Sequence, residues 1–75
     1  MLETVKEIML RYVDLAPEDI REDSRLVEDL ALTSFAVMSM MGDFEDEFGI
    51  TVDESELTDI RTVGDLIAYI QSKQE

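Results

Sequence analysis

The run Thr33-Ser34-Phe35-Ala36-Val37-Met38-Ser39-Met40-Met41-Gly42-Asp43-Phe44-Glu45-Asp46-Glu47-Phe48-Gly49 decides how this chain is read. Val37, Met41, Phe44 and Phe48 recur at i, i+4, i+7 and i+11. That spacing stacks side chains on one face of a helix. Met40 widens the stripe. Thr33 or Ser34 suits the N-cap, because a hydroxyl oxygen there accepts a bond from an orphan backbone N–H. Gly49 follows the last periodic residue and suits the left-handed position that closes a helix, with Ile50 as the apolar contact that accompanies such a cap. The reading is an amphipathic helix that ends at Phe48.

Working outward toward the C-terminus, Phe48, Ile50 and Val52 alternate, which is also a strand pattern. A lone strand has no partner here, so an extended linker is expected. Asp53 and Glu56 have the spacing of a capping box, which predicts a short helix over 54–60. Thr62 is placed to cap a last helix, and Val63, Leu66, Ile67 and Ile70 fall on one face of it. The tail, 71–75, is expected to fray. Toward the N-terminus, residues 16–33 form a long connection with turn signals at Pro17, Asp19, Asp23 and Ser24. Ile20, Leu26, Val27, Leu30 and Leu32 are its apolar anchors, and Pro17 is placed to open a short helical turn. Leu2, Val5, Ile8, Met9 and Tyr12 mark a first helix. Pro17 disfavours helical geometry at Ala16, so that helix should end near Asp14 or Leu15. The predicted fold is all-α: a small four-helix bundle of three main helices and one short one, with a long first loop, in a single domain spanning 1–75.

Composition narrows the chemistry. The chain has 75 residues, no Cys and no His. No disulfide, thiolate metal site, Ser-His-Asp triad or Cys-His pair can be built from it. Its 6 basic and 19 acidic residues give a net charge of −13. Such a surface repels nucleic acid and anionic lipid, and favours basic protein partners and divalent cations. With 45% hydrophobic residues in periodic arrangement, the chain reads as folded. No apolar run approaches the ~20 residues of a membrane span, and no signal peptide is evident, so a cytoplasmic monomer is expected. Ten of the acidic residues lie between Leu26 and Ile60, a stretch without Lys or Arg. They make either a solvated face or a docking surface for a basic partner. No calcium-loop pattern is present, so no dedicated metal site is expected.

Ser34 carries two readings. It is an N-cap, or it is an attachment point at the start of a helix. Without His it lacks the base a catalytic nucleophile needs. An outside enzyme can still modify it, and a phosphodiester there would lie at the positive end of the helix dipole.

The stretch Leu26-Val27-Glu28-Asp29-Leu30-Ala31-Leu32-Thr33-Ser34-Phe35 resembles the phosphopantetheine attachment region of acyl carrier proteins, which usually reads Asp-Leu-Gly-x-Asp-Ser-Leu. Phe44-Glu45-Asp46-Glu47-Phe48-Gly49-Ile50 is similar to that family's Leu-Glu-Glu-x-Phe-x-Ile, and Ile60-Arg61-Thr62-Val63-Gly64-Asp65-Leu66 to the approach to its last helix. The resemblance covers essentially the whole chain. It implies that Ser34 receives 4′-phosphopantetheine from coenzyme A through a separate Mg²⁺-dependent phosphopantetheinyl transferase. It implies a carrier of acyl or aminoacyl thioesters rather than an enzyme, with adenylating ligases, acyltransferases or synthases as partners. Thr33, Phe35, Met38, Gly42, Glu45 and Asp46 match positions of the family's partner-binding face. Thr33 stands where the family has Asp, Ala31 where it has Gly, and Phe35 where it has Leu. Thr33, Ala36 and Ser39 are neutral at positions often acidic in the family. These departures favour a specialised carrier; a general fatty acid carrier and a D-alanyl carrier are the alternatives. The rival of another class is an acidic helical interaction module without a prosthetic group. Val27, Phe44, Val52, Leu57, Ile60, Leu66 and Tyr69 are candidates to line an acyl-sheltering space, expected to be small because Phe44 is bulky.

Overall fold

A computed structural model describes residues 1–74. Three α-helices carry the architecture: α1, Leu2–Met9; α2, Ser34–Phe48; and α3, Val63–Gln74. Two 3-10 helices interrupt the connections, Pro17–Asp19 and Glu54–Asp59. The short fourth helix of the bundle is thus a tighter 3-10 coil rather than an α-helix, and no strand forms among the described residues.

α2 lies at the centre of the core. Phe44 and Met40 are fully buried on it, and Met41 nearly so. α1 contributes Val5, Ile8 and Met9, and α3 contributes Val63, Leu66, Ile67 and Ile70, the stripes that the periodicity predicts. Phe44 stacks on Phe48 with ring centroids 6.1 Å apart. Burying such side chains stabilises the fold by about 1.5–3 kcal/mol each relative to exposure, which a chain this short needs.

α1 is shorter than expected. After Met9 the backbone tightens: Arg11 N–H bonds to the Ile8 carbonyl and Tyr12 N–H to the Met9 carbonyl, both three residues back. The same turn makes tertiary contacts. The Tyr12 hydroxyl donates to the Asp43 carboxylate on α2, and Arg11 pairs with the same carboxylate at 3.6 Å. The C-terminal end departs in the opposite sense. Residues 71–74 stay helical, and Lys73 Nζ is held 2.9 Å from Glu56 Oε1.

The long loop packs down on the core. Ile20, Leu26, Leu30 and Leu32 are buried as expected, whereas Val27 is 62% exposed and anchors nothing. Leu26 N–H donates to the Arg61 carbonyl (2.8 Å) and Val63 N–H to the Ser24 carbonyl (3.0 Å), so a single antiparallel bridge, Arg25 to Thr62, ties the loop to the start of α3. Gly64 N–H donates to the Glu22 carbonyl at 2.7 Å, and a Cβ on Gly64 would lie only 3.2 Å from that oxygen. Ala31 takes a left-handed backbone, φ 56°, three residues before Ser34.

Candidate functional site

The N-terminus of α2 sets the site. Thr33 is extended, and its Oγ1 accepts the Ala36 N–H at 3.1 Å, so the cap is Thr33 and not Ser34. Ser34 becomes the first helical residue. It is exposed, and its hydroxyl makes no hydrogen bond within the described residues. The first turn holds no acidic side chain, which leaves the positive end of the helix dipole uncompensated beside that hydroxyl.

The surroundings are apolar. Phe35 is 80% exposed and Met38 47%, with the exposed Val27 of the loop nearby in the same groove as Met38. Exposed aromatic and aliphatic groups clustered in this way suit contact with another surface. A groove of about 340 Å³ runs from Ser34 between α2 and the 3-10 segment Glu54–Asp59, with Leu26, Val37, Met38, Leu57 and Ile60 as its apolar lining. Of the residues expected to line a sheltering space, Val27, Leu57 and Ile60 do so here. Phe44 and Leu66 are fully buried in the core, and Val52 and Tyr69 stand outside the groove. Glu54 and Thr58 in the groove wall and Val37 in its floor escape a reading from periodicity alone. Val37 lies on the core stripe, and the wall exists only once the 3-10 segment folds against α2.

The remaining predicted partner positions divide. Met38, Gly42 and Glu45 share a second, shallow depression of about 100 Å³, whereas Phe35 and Asp46 are exposed outside both depressions. The Glu45 side chain serves the fold, because its Oε2 accepts the Val52 N–H at 2.8 Å and holds the linker after α2. Gly49, with φ 64°, closes α2 by donating its N–H to the Glu45 carbonyl. Asp46 and Glu47 are left as the exposed acidic pair at that end of the helix.

A polar cluster fixes the 3-10 wall to α3. The Asp53 N–H donates to the Tyr69 hydroxyl at 3.1 Å, and that hydroxyl donates to Glu56 Oε1 at 2.9 Å. Glu56 therefore does not complete a capping box; Asp53 alone accepts the Ser55 N–H (3.0 Å) and hydroxyl (2.8 Å). The Lys73 ammonium and then the Tyr69 hydroxyl hold the Glu56 carboxyl below its ordinary value. Glu56 in turn raises Lys73. At α3, Thr62 Oγ1 accepts the Asp65 N–H at 3.1 Å, as predicted for the cap, and Asp65 Oδ2 accepts the N–H groups of Arg61 and Thr62. Those two bonds hold Asp65 low as well.

An exposed hydroxyl at a helix N-terminus, unbonded among the described residues and with an apolar groove at its side, can accept a group from an outside enzyme and give its far end a place to rest. Comparison with known proteins points the same way. The family profile of the phosphopantetheine attachment site matches residues 3–70. The chain is similar to an acyl carrier protein of Thermotoga maritima, 36% identical over 69 residues and covering 92% of this chain and 85% of that one. An acyl carrier protein of Wolinella succinogenes is 31% identical over 74 residues, covering 99% and 97%. Among solved structures, that of an acyl carrier protein from Enterococcus faecalis superposes with a TM-score of 0.81 at 29% identity, over 96% of this chain and 91% of that one.

Proposed function

The chain belongs to the phosphopantetheine-attachment family of acyl carrier proteins, and from that premise we propose that Ser34 is its attachment residue and that it serves a specialised pathway. As a member of that family it is a carrier and not an enzyme, with 4′-phosphopantetheine as prosthetic group. The arm supplies a terminal thiol that holds acyl groups as thioesters, chemistry a chain without Cys cannot supply itself. The observation that carries the assignment is the free Ser34 hydroxyl. Thr33 has taken over the capping bond, and no hydrogen bond among the described residues occupies the Ser34 hydroxyl.

The residues present fit the group. Ser34 offers the ester oxygen. The first-turn backbone N–H groups and the helix dipole favour a phosphodiester there. Leu26, Val37, Leu57 and Ile60 give an apolar bed for a flexible arm or its cargo. Phe35 and Met38 supply the apolar start of a partner-binding face, with Gly42 beside them and Asp46 and Glu47 as its acidic end. Thr33 and Glu45 belong to that face by position and hold the fold through their side chains. The specialised reading rests on this division. Thr33, Ala36 and Ser39 are neutral, so a partner must meet apolar surface before charge. A dedicated ligase, acyltransferase or synthase with an apolar notch and a basic rim fits, as does the transferase that installs the arm with Mg²⁺. Cargo of acyl or aminoacyl type, action as a single domain over 1–75, a cytoplasmic site and a monomeric state complete the proposal.

The experiment is a mass measurement. The protein is incubated with coenzyme A, Mg²⁺ and a broad-specificity phosphopantetheinyl transferase. One phosphopantetheine adduct on the wild type and none on Ser34→Ala is expected. No adduct on the wild type, or an equal adduct on Ser34→Ala, overturns the assignment and leaves the acidic interaction module as the better reading. Loading of the holo-protein by purified ligases across fatty, amino and aryl acids then tests the specialised pathway. Exclusive loading with long fatty acids would count against it.

A further inference from the structure

The groove that begins at Ser34 opens into a second space. Val27, Thr58 and Ile60 form part of its wall and also line a larger cleft of about 620 Å³. The cleft carries four charged side chains: Arg25, Glu28, Arg61 and Asp65. They are not equivalent. Arg25 is saturated, with Nη1 3.1 Å from Glu28 and its Nε and Nη2 each 3.2 Å from Asp29. Asp65 is occupied by the backbone N–H groups of Arg61 and Thr62. The Arg61 guanidinium has no carboxylate partner among the described residues. Arg61 is thus an exposed guanidinium on the wall of a cleft, without an ion pair among the described residues, in a chain with 19 acidic residues against 6 basic ones. Lys6 and Arg21 also lack ion pairs among the described residues, but neither lines the cleft.

We propose that Arg61 receives the charged end of the cargo, so that this carrier favours acyl groups ending in a carboxylate over neutral ones of the same length. The inference rests on Ser34 as the attachment residue. Its physical basis is the order of the surfaces. The groove at Ser34 is mostly apolar, the cleft that carries the guanidinium shares Val27, Thr58 and Ile60 with it, and a dicarboxylic half-thioester likewise joins methylenes to a carboxylate. Arg presents a planar fork of donors that matches a carboxylate. An extended arm of about thirteen skeletal bonds spans about 15 Å, and the groove at Ser34 and the cleft at Arg61 share wall residues. The short dimensions of the molecule are 22 and 19 Å. The overall charge of −13 disfavours a free anion, but a tether raises the effective concentration to roughly millimolar. A partly exposed pair of this kind shifts occupancy about two- to five-fold, less at high salt.

The test uses the full chain carrying acyl-phosphopantetheine transferred from coenzyme A thioesters. A carboxylated series (succinyl, glutaryl, adipoyl) is compared with butyryl and hexanoyl. Mass spectra first establish one adduct on the wild type and none on Ser34→Ala. An adduct missing there, or equal on both, defeats the attachment reading and this inference with it. Given the adduct, the Arg61 Nε–H resonance is followed by NMR. A shift in at least one carboxylated form, absent from the neutral forms and reduced in 1 M salt, is expected. In Arg61→Gln, the Ile60 and Asp65 amides should no longer distinguish adipoyl from hexanoyl, and Arg61→Lys should restore part of the difference. Identical Arg61 signals across the two series overturn the proposal while leaving Ser34 intact.

Discussion

The two halves of α2 use the same kinds of residue for opposite ends. In the second half, Phe44 is fully buried, Phe48 stacks on it, and Glu45 ties the linker to the helix. In the first half, Phe35 is 80% exposed, Met38 is 47% exposed, and Ser34 makes no hydrogen bond within the described residues. One end is anchored and the other displayed, on a continuous helix of 15 residues. The difference teaches that apolar content does not tell core from contact surface. What separates them is whether the rest of the fold covers the side chain, as it does at Phe44 and does not at Phe35.

The largest effect expected from breaking this contrast is at its two phenylalanines. Phe44→Ala should lose about 3–5 kcal/mol, a large share of the stability of a chain this size. Phe44→Leu, with a smaller loss, keeps the comparison measurable if the alanine variant does not fold. Phe35→Ala should change stability by no more than about 0.5 kcal/mol and weaken partner binding instead. Urea titration and a binding isotherm with a loading ligase check the pair. A stability loss at Phe35 matching that at Phe44 would erase the distinction between the halves.

Next in size are the adjacent hydroxyls. Thr33→Ala removes the bond to Ala36 N–H and should cost about 1 kcal/mol, a fall in Tm of roughly 4–8 °C. Ser34→Ala removes no bond seen within the described residues and should leave Tm nearly unchanged. Calorimetry on the unmodified proteins reads both. The reverse order would return the cap to Ser34 and remove the argument that its hydroxyl is free.

Much of this was legible in the sequence because the signals are local. The span of α2, the left-handed Gly49 and the Thr62 cap follow from residues within four positions of one another. What was not legible depends on distant pairs. The turn that follows α1 carries Tyr12, which meets Asp43 31 positions away. Glu56 fits a capping box by spacing but turns to Tyr69 and Lys73 on α3. Glu45 matches a docking position yet holds Val52. Ser34 stood out as a candidate from sequence, and the structure separates it from its neighbour by showing which hydroxyl makes the cap.

Ala31 gives a smaller effect of opposite sign. Its φ of 56° is strained for a residue with a Cβ, and it lies in the turn that leads into the displayed end. Ala31→Gly relieves that strain, offset by the greater entropy of glycine in the unfolded chain. A net gain of about 0.5 kcal/mol is expected from thermal unfolding. A loss would mean that the turn holds Ala31 without strain.

The smallest expected effect concerns the groove's 3-10 wall, which polar contacts rather than deep packing fix to α3. Asp53 and Glu56 both titrate below their ordinary values, Asp53 through Ser55 and Glu56 through Lys73 and Tyr69. A depressed folded pKa contributes stability that is fully present above the unfolded value, about 4, and is lost as pH falls through the folded one. Lys73 is raised, so its share is present below the unfolded value of about 10.4 and fades as pH rises beyond it. Both shares are present together only between those limits. Glu56→Gln removes the acid-sensitive part, so its Tm should fall less than that of the wild type between pH 6 and pH 3. Relief of repulsion among the other carboxylates acts on both proteins and cancels to first order in that difference. Phe44 is buried in the anchored half and carries no titrating group, so Phe44→Leu should lower Tm by a similar amount at both pH values. If Glu56→Gln instead tracked the wild type across the range, the wall would be held by Leu57 and Ile60, and the groove beside Ser34 would be as firmly built as the core below it.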